Sequence, residues 1–166
     1  MRQLYSNVIL AHALSFPMDH ILDRYVKDTN VTPEVARQHE LELKRFLALG
    51  ALNPSKSYGM AGPVDELWHL FITYTREYAR FCQDVAGHFI HHVPTDPNAK
   101  GDSRSYESFL ADYALAYGVE PAASVWPRLA LAECAQCERA ISCGKVTCEQ
   151  SVRVDCGAGC QSQVRA

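Results

Sequence analysis

The chain has 166 residues, 48% of them hydrophobic and 21% charged, which suits one globular domain of ordinary size. Its net charge is −3 with acids and bases interspersed, so nothing electrostatic points to nucleic acid or an anionic membrane as a partner. No stretch approaches the roughly 20 apolar residues of a membrane span. Residues 8–16 are short, carry His12 and Ser15, and lack a signal-peptide pattern, so the expected location is the cytoplasm.

Residues 3–15 have helical composition. Phe16-Pro17 ends that segment, because proline disfavours helical geometry in the residue before it. Met18, Ile21, Leu22 and Tyr25 then repeat at helical spacing, with Asp19, Asp23 and Lys27 on the other side, until Asn30 breaks the pattern. Thr32-Pro33-Glu34 is a helix start: threonine caps, proline fits the first turn, and glutamate suits the positive end of the dipole. Val35, His39, Leu43, Phe46 and Leu47 line one face, and Gly50 is the expected stop.

Residues 51–62 are a turn-rich connector. Pro63 opens the clearest helix, expected to run unbroken to about residue 85, with Val64, Leu67, Trp68, Phe71, Tyr74, Tyr78, Phe81 and Cys82 as a broad apolar stripe. Gly87 ends it, and a proline-bearing loop follows over 88–104. Ser105 caps a further helix carrying Phe109, Leu110 and Tyr113, with Gly118 as its stop; residues 121–135 form one more, with Pro127 near its start or at a kink. After Glu133 aliphatic residues thin out, and only 151–154 alternate weakly as a strand would. The expected fold is all-α: a bundle of about five helices over 1–132, then a cysteine-rich, largely irregular tail over 133–166.

The chemistry concentrates in a histidine unit at 63–94. Asp65 and His69 are four apart on a helix, so their side chains leave the same face one turn apart. They share a ridge with Ile72 and Arg76. His88, His91 and His92 follow shortly after. A helical turn there puts His88 and His92 on one face. Extended backbone, which Pro94 favours in Val93, points His91 and His92 to opposite sides, so that only one joins His69. Imidazoles with a carboxylate are common ligands for zinc, iron, copper and nickel. Against this stands a purely structural account, with Asp65 stabilising a helix start and His69 packing beside Trp68. Cys82 is expected to pack as a small hydrophobe.

The run Tyr58-Gly59-Met60, the element Val64-Asp65-Glu66-Leu67-Trp68-His69, and the run Gly87-His88-Phe89-Ile90-His91-His92-Val93-Pro94 resemble the glycine-rich domain-containing protein-like family, helical proteins of plants and bacteria. The resemblance is good over 58–94 and loose in the flanking helices. Its D-x-x-W-H and H-H-x-P elements single out Asp65, Trp68, His69, His91 and His92, with His88 matching less firmly. It implies a helical fold, a Gly/Cys-rich tail in bacterial members, stress-response roles in plant members, and no agreed enzymatic activity.

Six of the seven cysteines, Cys134, Cys137, Cys143, Cys148, Cys156 and Cys160, crowd the tail. Cys134-x-x-Cys137 has the spacing of a zinc knuckle or redox pair, but the other spacings do not repeat it. A thiolate zinc site, an iron–sulfur cluster, soft-metal buffering, three disulfides, or a low-complexity tail all remain open.

Two functional readings follow. One is a metal-binding helical protein, a small hydrolytic or oxidative metalloenzyme with zinc or iron on Asp65, His69 and one or both of His91 and His92. Trp68 and Tyr78 would wall that site, and Tyr78 or Arg76 would orient a small-molecule substrate. The other is a non-catalytic interaction or scaffold module whose tail binds metal or a partner protein. No Gly-x-Ser-x-Gly, phosphate loop or dinucleotide fingerprint supports a metal-free enzyme class.

Overall fold

The computed structural model describes residues 2–93 and 103–128. These residues form six helices: α1 (Arg2–Ser15), α2 (Asp19–Thr29), α3 (Pro33–Leu52), α4 (Pro63–Thr73), α5 (Thr75–Ala86) and α6 (Ser103–Tyr117). The all-α class read from periodicity holds, and no strand occurs among the described residues. None of the described helices is long and apolar enough to cross a membrane. The weak strand at 151–154 and the cysteine-rich tail lie outside the described residues.

Local signals set most helix ends. Asn30 closes α2 in the left-handed conformation (φ 62°), returning its N–H to the Val26 carbonyl. Asparagine is one of the few residues that tolerates this geometry. Thr32 caps α3, its hydroxyl oxygen accepting from the Val35 N–H, with Pro33 in the first turn. Gly50 does not stop α3. It sits inside the helix, which runs on to Leu52 and ends at Asn53, whose N–H reaches back to the Leu49 and Gly50 carbonyls.

Helix α3 packs against all five other helices, so it is buried around most of its circumference rather than on one stripe. Leu43, Phe46, Leu47 and Leu49 are core residues, while Val35, expected on the buried face, is exposed. Phe46 is the hub: its ring meets those of Tyr58, Trp68, Phe109 and Trp126 at 5.0 to 6.4 Å between centroids, within the range where aromatic pairs attract. Charged residues are buried on α3 as well. Glu42 accepts from Arg45, Tyr113 and Trp126. Lys44 pairs with Glu40 and donates to the carbonyls of Leu14 and Phe16 where α1 ends.

The helix expected over 63–85 is two helices. The chain breaks at Tyr74 (φ −82°, ψ 63°). Ile72, Thr73 and Thr75 supply a β-branched run of low helix propensity. The Thr73 hydroxyl donates to the Leu70 carbonyl at 2.6 Å, a local bond that competes with the helical ladder. The break lets α5 fold back on α4, so that Phe71 meets Tyr78 and Phe81 at 5.1 and 5.4 Å.

The described part of the last expected helix is also different. Residues 121–128 make a single turn, with the Val125 and Trp126 N–H groups on the Ala122 carbonyl. Pro127 disfavours helical geometry at Trp126. The Trp126 side chain is instead inserted between Phe46 and Phe109.

Candidate metal centre

Helix α4 starts where Gly62 stands in a left-handed conformation (φ 87°). A Cβ at Gly62 would come within 2.6 Å of the Val125 carbonyl oxygen, so only glycine fits this close approach. One turn into the helix, Asp65 and His69 leave the same face. His92 arrives from the loop after α5. Ligand atoms of these three residues all lie within 4.8 Å of one another. His92 Nε2 is 3.1 Å from Asp65 Oδ1, and His69 Nδ1 is 3.6 Å from Asp65 Oδ2. Each carboxylate oxygen therefore faces a different imidazole.

The group is graded in exposure. The side chain of His92 is 14% exposed, that of Asp65 37% and that of His69 56%. The His92 ring is flanked by two others, Trp68 and His69, each at 4.4 Å between centroids. All three residues line a cleft of about 590 Å³, together with Trp68, Tyr58, Met60 and Phe89. That volume falls in the range of small-molecule sites, and a mainly apolar wall with a few convergent polar groups is their usual make-up. A smaller hollow of about 400 Å³ beside Met18 and Lys44 is different. Its charged groups are already paired, Lys44 with Glu40 and Arg37 with Asp19.

After Gly87 the chain sends His91 and His92 to different neighbours, His92 to Asp65 and His91 to Phe89. His91 packs its ring on Phe89 at 5.0 Å and is exposed. His88 turns its Nδ1 to the Ala86 carbonyl at 2.9 Å. Both line the cleft, but neither belongs to the group of three. Arg76 lies beyond the break at Tyr74, is exposed, and does not line the cleft. Tyr78 lies behind Trp68, almost fully buried. It takes the Trp68 Nε1–H at 3.1 Å and donates to the Ile90 carbonyl at 2.6 Å. Burial pushes the Tyr78 hydroxyl and the Cys82 thiol up. Both stay protonated near neutrality, and Cys82 is a packed thiol, not a nucleophile. The six tail cysteines lie outside the described residues.

The model of the UCP032817-like family matches residues 9–121. The chain belongs to the UCP032817-like family. This corrects the resemblance to the glycine-rich domain-containing protein-like family. That likeness rested on the short D-x-x-W-H and H-H-x-P elements within 58–94, whereas the UCP032817-like match extends from within α1 past the end of α6. Short elements of this kind report a local arrangement, a helix-borne histidine beside a tryptophan meeting a loop histidine, and different families can share one. The UCP032817-like span contains Asp65, Trp68, His69 and His92 and stops before the clustered cysteines. No curated protein and no solved structure matches this chain.

Periodicity did not reveal the supports behind the site. Tyr25 on α2 donates its one hydroxyl proton to the Pro63 carbonyl at 3.2 Å and lies 3.0 Å from His39 Nδ1. Burial pushes the Tyr25 hydroxyl up to about 12 and the His39 imidazole down. This relay ties α2 and α3 to the first residue of α4, two residues before Asp65.

Proposed function

We propose that Asp65, His69 and His92 hold one transition-metal ion, zinc or iron, and that the protein is a small metalloenzyme of hydrolytic or oxidative type. The observation that carries this reading is the convergence of two imidazoles and a carboxylate within 4.8 Å on the wall of a cleft of small-molecule size. Two histidines and one carboxylate are a ligand set of catalytic zinc sites and of mononuclear iron sites alike. Three protein ligands leave further positions on the ion open, as a site that acts on a substrate requires. A closed structural site would use four protein ligands.

The distances support the same reading. Each Asp65 oxygen faces an imidazole nitrogen, so an ion would take the place of the protons between them. Binding then releases protons, and affinity falls as the solution is acidified. An ion here would supply Lewis acidity to a bound water or substrate oxygen. Asp65 would neutralise part of its charge, Trp68 would fix the His92 ring, and the apolar wall of the cleft would take the body of the substrate.

The test is elemental analysis of protein purified without an affinity tag, in wild type and in His69→Gln, His92→Gln and Asp65→Asn. About one ion per chain is expected in wild type. Occupancy should fall sharply in both histidine variants, because an amide is a poor replacement for imidazole on a transition metal, and fall in the same direction in Asp65→Asn. Equal metal content in all four proteins would overturn the reading. It would move the metal to the cysteine-rich tail and favour an interaction or scaffold module.

A further inference from the structure

We propose that Tyr78 and Cys82 are positioning residues that set where His92 stands, by gripping the backbone of Ile90 from both sides. The Ile90 N–H donates to Cys82 Sγ at 3.4 Å, and the Ile90 carbonyl accepts from the Tyr78 hydroxyl at 2.6 Å. Both holding side chains are about 1% exposed and project from α5, so the grip is made by the packed core. Residues 89–93 belong to no helix, and among the described residues no ladder of backbone bonds fixes their path. Among the described residues Ile90 is the one in that loop whose N–H and carbonyl are both bonded to buried side chains. From Ile90 to His92 the chain can reach at most about 7 Å, so a fixed Ile90 confines the imidazole to the neighbourhood of Asp65.

The grip is referenced to the same helix that carries the other two members of the group. Tyr78 spends its hydroxyl proton on Ile90 and accepts the Nε1–H of Trp68 at 3.1 Å. Trp68 is the neighbour of His69 in sequence, and its ring lies 4.4 Å from that of His92. One chain of contacts thus joins Trp68, Tyr78, Ile90 and His92. The break at Tyr74 makes it possible. Ten residues of unbroken helix would separate Trp68 and Tyr78 by roughly 15 Å along the axis. Sulfur is a weak acceptor, so Tyr78 carries the larger share of the grip.

The metal reading supplies one readout of this proposal, but the position of His92 is defined without an ion. The first experiment therefore uses metal-free protein. Amide exchange of Ile90 and His92, and the ring signals of His92, are followed by NMR in wild type, Tyr78→Phe, Cys82→Ala and Cys82→Ser. Tyr78→Phe should speed exchange at Ile90 and His92 and shift the His92 ring, with the amides of α3 unchanged. Cys82→Ala should do the same more weakly, and Cys82→Ser, which keeps an acceptor, should stay closer to wild type. In a titration with Co²⁺ alone, Tyr78→Phe should weaken binding roughly tenfold, the low end of the cost of losing a group that orients a ligand.

Unchanged His92 signals in Tyr78→Phe, or equal acceleration in α3 and the loop, would overturn the proposal. If Tyr78→Phe does not fold, the Cys82→Ala and Cys82→Ser pair decides it by the same signals. A wild type that binds no Co²⁺ would overturn the metal reading, while the metal-free measurements would still decide the grip.

Discussion

Two carboxylates, Glu42 on α3 and Asp65 on α4, each meet basic or hydrogen-bonding partners, and the two groups differ in burial. Glu42 is buried and saturated: one oxygen accepts from Arg45 and Tyr113, the other from the Trp126 indole. Asp65 is more than a third exposed and meets two imidazoles that lie on a cleft. Saturation makes the first cluster a fastener. Every polar group has a partner inside the protein, and among the described residues no buried side-chain nitrogen or oxygen lacks one. The second cluster has coordination capacity left over, facing a space that a ligand can enter.

The sharpest way to break this contrast is Glu42→Ala. It takes away the buried acceptor of the Tyr113 hydroxyl and the Trp126 N–H and the carboxylate beside half-buried Arg45, so urea denaturation should show a loss of about 3 kcal/mol, the low end of the cost of removing one partner of a buried charged pair. A loss under about 1 kcal/mol would mean the cluster is no fastener.

A smaller effect should come from His39, which is buried against Tyr25 and whose imidazole burial pushes below its ordinary value of 6.5. Between its folded and unfolded values the unfolded chain binds more protons. The neutral ring's contribution is therefore complete above about pH 6.5 and is lost as pH falls through the lower folded value. Stability measured from pH 7.5 downward should decline more steeply in wild type than in His39→Gln. Parallel curves would show that His39 does not titrate with folding.

The smallest change is expected at the open cluster itself. In metal-free protein, Asp65→Asn and His69→Gln should alter stability by no more than about 0.5 kcal/mol, because both side chains are substantially solvated. A loss approaching that of Glu42→Ala would place Asp65 among the fasteners and erase the distinction.

Much of the fold was legible because its signals are local. Asn30, Thr32-Pro33 and Gly87 act through their own backbone and nearest turns, and apolar repeats mark helices wherever one face is buried. The pairing of Asp65 with His69 was legible for the same reason, since four residues make one helical turn. The break at Tyr74 was missed because a continuous apolar stripe does not record a bend. The burial of Glu42 and Lys44 was missed because α3 is enclosed by five helices, a property of the assembly rather than of the segment.

The sequence by itself determined the helical class, most helix ends, and the set of imidazoles and carboxylates from which a site could be made. These depend on propensity, capping and periodicity over a few residues. Only the tertiary structure decided that His92 rather than His91 faces Asp65, that Tyr78 bonds the loop at Ile90 rather than walling the cleft, and that Glu42 is buried while Asp65 lines a cleft. Each of those outcomes depends on which elements meet in space, and the residues that meet at Ile90 and at Glu42 come from separate helices and loops. Their spacing in sequence carries no record of that meeting, because packing of the whole core brings them together.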